Sequence, residues 1–218
     1  MRSWLNKQAG VICHGEILGP NKINGTSQKQ ETSLTVSQRN KNPYLFAKTY
    51  FHDHSELQVG FKALTSHLID VRNLTFLRWF FDSEPRVICL YRDDLVARFQ
   101  STLYHRLAKG DMRPEQIRRI EVKDVLDNCI SIYEQWKMAN HYWAAGCDKI
   151  YVNMKDLSGD VGSPLGKLLG ISMAGEMPRS NSESTKAAKA GHEDLVAHIN
   201  KICSDPRLEP YRALNFER

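Results

Sequence analysis

The chain has 218 residues, 41 % apolar and 25 % charged, the balance of an ordinary soluble globule with room for one sizeable α/β domain. A net charge of +5 and a pI near 8.9 suit an anionic ligand such as a nucleotide; with no dense Lys/Arg run carrying interleaved aromatics, they argue against a nucleic-acid surface. No apolar run approaches the roughly 20 residues that span a bilayer, the N-terminus lacks the apolar core of a signal peptide, and five scattered cysteines (13, 89, 129, 147, 203) form no CxxC pair, so we expect reduced, mostly buried thiols in a cytoplasmic protein.

Val11-Ile-Cys13 is a short apolar run, followed by His14-Gly-Glu16. Residues 19 to 43 are polar and rich in Gly, Asn, Ser, Thr, Gln and Lys, and are expected as a loop insert. Residues 57 to 63 alternate apolar and polar, a strand signal. Leu68, Val71, Leu74, Leu77 and the 79–81 aromatics recur at near-helical spacing, so a helix is expected over 67–81, broken by Ser83-Glu-Pro. Within 86–91 the residues from Val87 on are continuously apolar, as in a strand covered on both faces. A helix over about 93–108 follows, then the break Gly110-Asp-Met-Arg-Pro.

From about 120 to 145, Val122, Val125, Leu126, Cys129, Ile130, Tyr133 and Trp136 mark a long amphipathic helix, and Gly146 suits its C-terminus. Residues 149–154 read as a strand, 158–170 as partly helical, 171–191 as loop and 192–203 as a last helix. Strands alternating with helices imply right-handed crossovers and one parallel sheet with helices on both faces, in a single domain spanning 1–218.

Two motifs fail on inspection. Gly162-Ser-Pro-Leu-Gly166-Lys167-Leu168 resembles a nucleotide P-loop, but its glycines are one residue too close and Leu168 replaces the hydroxyl that would bind Mg²⁺. His52-Asp-His54 offers two metal ligands on an extended segment, with nothing nearby to complete the set. Asn24-Gly-Thr and Asn73-Leu-Thr match the glycosylation pattern and carry no weight without a secretory signal.

The segment richest in chemistry is Val87-Ile-Cys-Leu-Tyr-Arg92, with Ser101 nine residues beyond its arginine. A cation at a strand's C-terminal end and a hydroxyl on the next helix suit a bound phosphate in the crevice where open α/β sheets bind ligands. An ion pair of Arg92 with Asp93 or Asp94, and a plain surface serine, fit the same spacing. Glu16, at a strand end beside Gly15, has the placement of a general base or of a surface acid. Lys62, in Val59-Gly-Phe-Lys-Ala63, points into a cleft or outward with the alternation.

In their order along the chain these residues resemble the sulfotransferases that use 3′-phosphoadenosine 5′-phosphosulfate (PAPS). The likeness is closest to bacterial carbohydrate sulfotransferases of the nodulation and trehalose type, and more distant to tyrosylprotein sulfotransferases. It runs from about residue 2 to residue 200. Leu90-Tyr-Arg92-Asp-Asp94-Leu-Val96 to Ser101 is similar to the family's second phosphate motif, and Ile150 to Leu157 to its later strand. Asn181-Ser-Glu-Ser-Thr-Lys186 and Lys189 resemble its C-terminal nucleotide-contacting segment. Arg2, Ser3 and Trp4 stand where the family's 5′-phosphosulfate loop closes, without that loop's glycine.

The resemblance implies a P-loop-like sulfotransferase fold whose first strand and 5′-phosphosulfate loop are incomplete in an N-terminally truncated chain. It implies PAPS as sulfuryl donor, no metal, and a small-molecule or glycan hydroxyl as acceptor. Arg92 and Ser101 would hold the 3′-phosphate, with Arg2, Ser3, Lys186 and Lys189 on other parts of the nucleotide. Glu16 would take the acceptor's proton, and Lys62 would neutralise the leaving 5′-phosphate. The alternative is a weakened or inactive member of the family that only binds 3′-phosphoadenosine nucleotides.

Overall fold

The computed structural model describes residues 1–19, 23, 35–51, 58–158, 162–175 and 192–216. In chain order these form α1 (Arg2–Leu5), β1 (Val11–His14), α2 (Val36–Lys41), α3 (Pro43–Phe51), β2 (Gln58–Phe61), α4 (Thr65–Leu68) and α5 (Leu74–Phe81). Then come β3 (Val87–Tyr91), α6 (Leu95–Ala108), α7 (Pro114–Arg118), α8 (Val122–Met138), β4 (Lys149–Asn153), α9 (Gly162–Leu169) and α10 (Glu193–Cys203). The chain is thus mixed α/β. No helix of the described residues is long and apolar enough to cross a membrane.

One continuous parallel sheet was the expectation; the described strands instead form two separate parallel pairs, β1–β2 and β3–β4. The reason at β1 is local. Gly10 and His14 offer their carbonyls to β2, accepting from the N–H groups of Gln58 (2.7 Å) and Lys62 (3.2 Å). By the alternation of a ladder, the polar groups of Cys13 then face the opposite edge. There the Asn6 side chain meets both: its Nδ2 donates to the Cys13 carbonyl at 3.0 Å and its Oδ1 accepts from the Cys13 N–H at 2.6 Å. One amide takes the place of a neighbouring strand.

Two compact units emerge from the contacts: one of Met1–Cys89, Gln135–Val152 and Asp156–Pro178, the other of Leu90–Glu134, Asn153–Lys155 and Arg179–Arg218. The first unit holds two apolar clusters. Ile17, Leu18, Phe46, Phe76 and Leu77 form one, with Phe61, Phe80 and Trp143 packed against it. Phe76 meets Phe46 edge-on at 5.8 Å and stacks on Phe80 at 5.9 Å. Burying such side chains contributes about 1.5–3 kcal/mol each. Trp4, Leu5, Val152 and Leu165 form the other, joined by Val11, Cys13, Ile88 and Ile150.

In the second unit, α6 buries Leu95, Val96, Leu103, Tyr104 and Leu107, while α10 buries Leu195, Ile199, Ile202 and Cys203. Asn200 of α10 accepts from Gln100 Nε2 (2.7 Å) and from the Tyr104 hydroxyl (3.2 Å) of α6. Phe216, also buried, packs on Tyr91 and Tyr133 at 5.2 and 5.7 Å.

Several boundaries differ from the periodicity. The expected loop insert 19–43 contains α2, started by a reciprocal cap in which Thr35 Oγ1 accepts from Gln38 N–H and Gln38 Oε1 accepts from Thr35 N–H. The helix expected over 67–81 breaks at Asp70, whose carboxylate accepts from the Arg72 N–H at 3.0 Å. That local bond replaces a helical one. The helix expected over 120–145 keeps α-geometry to Met138 and then widens into a π-helical turn, Ala139–Trp143.

Candidate functional site

Parallel pairing brings the C-terminal ends of β1 and β2 together. His14 stands opposite Phe61, and the Lys62 N–H extends the ladder onto the carbonyls of His14 and Gly15 at 3.2 and 3.3 Å. The next side chains therefore leave the sheet side by side, at the carboxyl ends of the strands, where α/β sheets bind ligands. Glu16 and Lys62 meet there: Lys62 Nζ donates to Glu16 Oε1 at 2.7 Å. The lysine side chain is 51 % exposed and the glutamate 29 %, so the pair borders solvent.

What fixes Glu16 lies beneath it. Ile17 and Leu18 are fully buried, and their carbonyls need donors. Arg39, 0 % exposed on α2, donates to the Ile17 carbonyl at 2.5 Å and to Asn73 Oδ1 at 2.7 Å. Asn73 Nδ2 in turn donates to the carbonyls of Leu18 (3.2 Å) and His67 (2.8 Å). Burial pulls the Arg39 guanidinium below its ordinary pKa, against the nearby Asp70 charge. Burial likewise pulls down the His67 imidazole, against the opposing field of Glu16. This network was invisible in the sequence because Arg39 fell inside the segment read as an insert. A reciprocal Thr35–Gln38 cap was the signal that could have found the helix carrying it.

Arg2 and Ser3 sit on the single turn of α1, in the same unit as Glu16 and Lys62. Trp4 and Leu5 anchor that turn in the core, leaving Ser3 exposed and Arg2 half-buried. Burial pushes the Cys13 thiol up in pKa, and the Arg2 charge opposes that rise.

The second strand pair carries the other group. Arg92 follows β3 directly, and Met154 follows β4. Arg92 Nε donates to the Met154 thioether at 3.4 Å. Neither of the acids expected to compete for Arg92 holds it. Asp94 caps α6, accepting from the Ala97 N–H at 2.7 Å. Asp93 accepts from Lys155 Nζ and from the Asp94 N–H, and Lys155 holds its carboxyl below the ordinary range. Ser101 lies two turns into α6, half-buried.

A residue missed in the sequence stands beside Ser101. Arg98 stands three positions before Ser101, hence beside it on the helix surface. It is half-buried, and burial followed by the charge of Arg92 pulls its pKa down. Arg98 in the field of Arg92, a hydroxyl beside it on the helix, and acids engaged elsewhere are groups whose chemistry suits an anion. The i, i+3 spacing of Arg98 and Ser101 was the available signal.

Lys186 and Lys189 lie outside the described residues, as does His52-Asp-His54. Gly162 to Leu169 form α9. Among the described residues no group of three or more His, Cys, Asp or Glu side chains is arranged to hold a metal ion. Asn73 is almost fully buried and spends its amide on two carbonyls. No family model matches this chain, and no curated protein or solved structure matches it either.

Proposed function

We propose that the chain binds a 3′-phosphoadenosine nucleotide and transfers the sulfuryl group of PAPS to an acceptor hydroxyl, the acceptor being a carbohydrate. The observation that carries this reading is Arg92: a half-buried guanidinium at a strand's C-terminal end, free of both adjacent carboxylates, followed by the helix that bears Ser101. A phosphate is the ligand such a cation and hydroxyl accept.

In this reading the S–O bond to the donor's 5′-phosphate breaks as a new S–O bond forms to the acceptor oxygen. Glu16 takes the acceptor's proton, and Lys62 offsets the charge left on the 5′-phosphate. Positioning and electrostatics supply most of the rate, as in phosphoryl transfer. The Glu16–Lys62 pair, at 2.7 Å, gives the mechanism an order. The anionic donor draws Lys62 onto its phosphate and uncovers the carboxylate for the acceptor. Arg2 and Ser3 flank the 5′ end of the donor in this scheme, and Lys186 and Lys189 its nucleotide face.

A second reading, a nucleotide binder without turnover, draws on α1. Arg2 and Ser3 stand on one helical turn with Trp4 and Leu5 buried, rather than on a glycine loop that wraps an anion with its amides.

Thermal unfolding with and without 3′-phosphoadenosine 5′-phosphate tests binding: the midpoint rises with nucleotide in the wild type by mass action, and Arg92→Ala removes the rise. Transfer from radiolabelled PAPS to candidate glycans tests turnover. Glu16→Gln then lowers kcat by roughly 10²–10⁴-fold while the nucleotide-induced shift persists. A shift without transfer selects the second reading. No shift in the wild type removes both.

A further inference from the structure

We propose that Arg98 is a binding residue of the same site, and that Arg92 and Arg98 together select a phosphomonoester bearing two negative charges over singly charged phosphodiesters and sulfate esters. The proposal rests on the reading that Arg92 and Ser101 hold the nucleotide's 3′-phosphate, and it adds what that site discriminates.

Arg98 and Ser101 are neighbours on one face of α6. Arg92 lies two residues before the cap of that helix, Asp94. Among the described residues no carboxylate is within bonding distance of either guanidinium. Arg92 spends only its Nε, on the weak acceptor Met154 Sδ at 3.4 Å, which leaves its Nη groups for a ligand. Asp93 is neutralised by Lys155, and Asp94 is turned to the Ala97 amide. Arg212, which shares the surroundings of Cys129 with Arg98, donates to the Cys203 carbonyl and pairs with Glu209. Two half-buried guanidiniums are thus held partly out of water, Arg98 in the field of Arg92, with no carboxylate bound to them among the described residues.

Such an arrangement is unfavourable alone and favourable around an anion whose charge matches it. A phosphomonoester carries about −1.5 to −2 at neutral pH. A phosphodiester or sulfate ester carries one charge and leaves the second guanidinium unmatched. The rotatable Ser101 hydroxyl, with no hydrogen bond among the described residues, supplies a neutral donor for a third oxygen.

The test is isothermal titration of the full chain with adenosine 3′,5′-bisphosphate, its 3′-methyl phosphodiester, and adenosine 5′-phosphate. For the wild type, methylation of the 3′-phosphate weakens binding by about tenfold or more, the scale of one charge-assisted hydrogen bond. Arg98→Gln weakens the bisphosphate by a similar factor, leaves adenosine 5′-phosphate within about twofold, and abolishes most of the discrimination against the diester; Arg98→Lys restores part of it. Equal wild-type affinity for bisphosphate and diester overturns the proposal even if Arg98→Gln does not fold. A drop in Arg92→Gln with none in Arg98→Gln overturns it while sparing the nucleotide reading. No bisphosphate binding by the wild type overturns both.

Discussion

Asn73 does the work of three partners. Its Oδ1 receives Arg39, and its Nδ2 reaches two carbonyls of buried backbone. An unpaired buried polar group costs more than a hydrogen bond contributes. Asn73→Leu strands a charged guanidinium and the carbonyls of Leu18 and His67 together, so we expect a loss of about 2–4 kcal/mol in urea unfolding. Arg39→Met removes the charge along with the bond to the Ile17 carbonyl, and replacing a buried ion by an apolar chain of similar shape is milder. The ordering of the two variants, asparagine worse than arginine, is the informative result.

At the scale of the element, α9 shows local propensity overruled by packing. Gly166 is buried in mid-helix, where alanine ordinarily gains about 1 kcal/mol. A Cβ there would stand 2.7 Å from the Ile171 carbonyl oxygen, and the Ile171 N–H already donates to the Gly166 carbonyl at 3.0 Å. Gly166→Ala therefore lowers the unfolding midpoint instead of raising it, while an exposed alanine scan of the same helix leaves it within the usual few tenths of a kcal/mol. The elements themselves were largely legible in the sequence. β2, β3, β4, α6 and α10 fall within a few residues of where apolar periodicity put them, because each buries one face and the period records which. What periodicity could not report was a side chain acting as backbone. Asp70 cuts a helix by bonding the Arg72 amide, and Asn6 closes an edge that a third strand was expected to occupy. Of the candidate site, Glu16 with Lys62 was legible as two strand ends, though their contact needed the register of a parallel pair. Arg98 was overlooked because its meaning depends on Arg92, which lies outside α6, just past the end of β3.

For the whole molecule, pH sets the limits of stability from both sides. Burial raises the thiols of Cys89, Cys129 and Cys203 from the ordinary 9.0 to about 11. A raised folded value means the unfolded chain ionises first, so stability is complete below about 9 and falls as pH climbs toward 11. On the acid side, the Arg72 partner holds Asp70 at about 2 against an ordinary 3.8. Its contribution is present above 3.8 and disappears as pH falls toward 2. Chemical unfolding across this range should give a plateau with both shoulders, and substituting the three thiols by alanine or valine should move only the alkaline one. The native protein should also react slowly with a chromogenic disulfide reagent at pH 8, and the urea-unfolded chain quickly.

Asn6 has a consequence for how copies of this chain meet. A two-stranded ladder normally invites growth at its rim, and a further strand from another molecule would lie alongside Cys13. That berth is taken by a side chain making two bonds at once. An intruding strand must first evict an amide at a cost of about 1–3 kcal/mol, and it recovers only the same two bonds. The chain thus carries, between Asn6 and Cys13, a built-in deterrent to edgewise stacking.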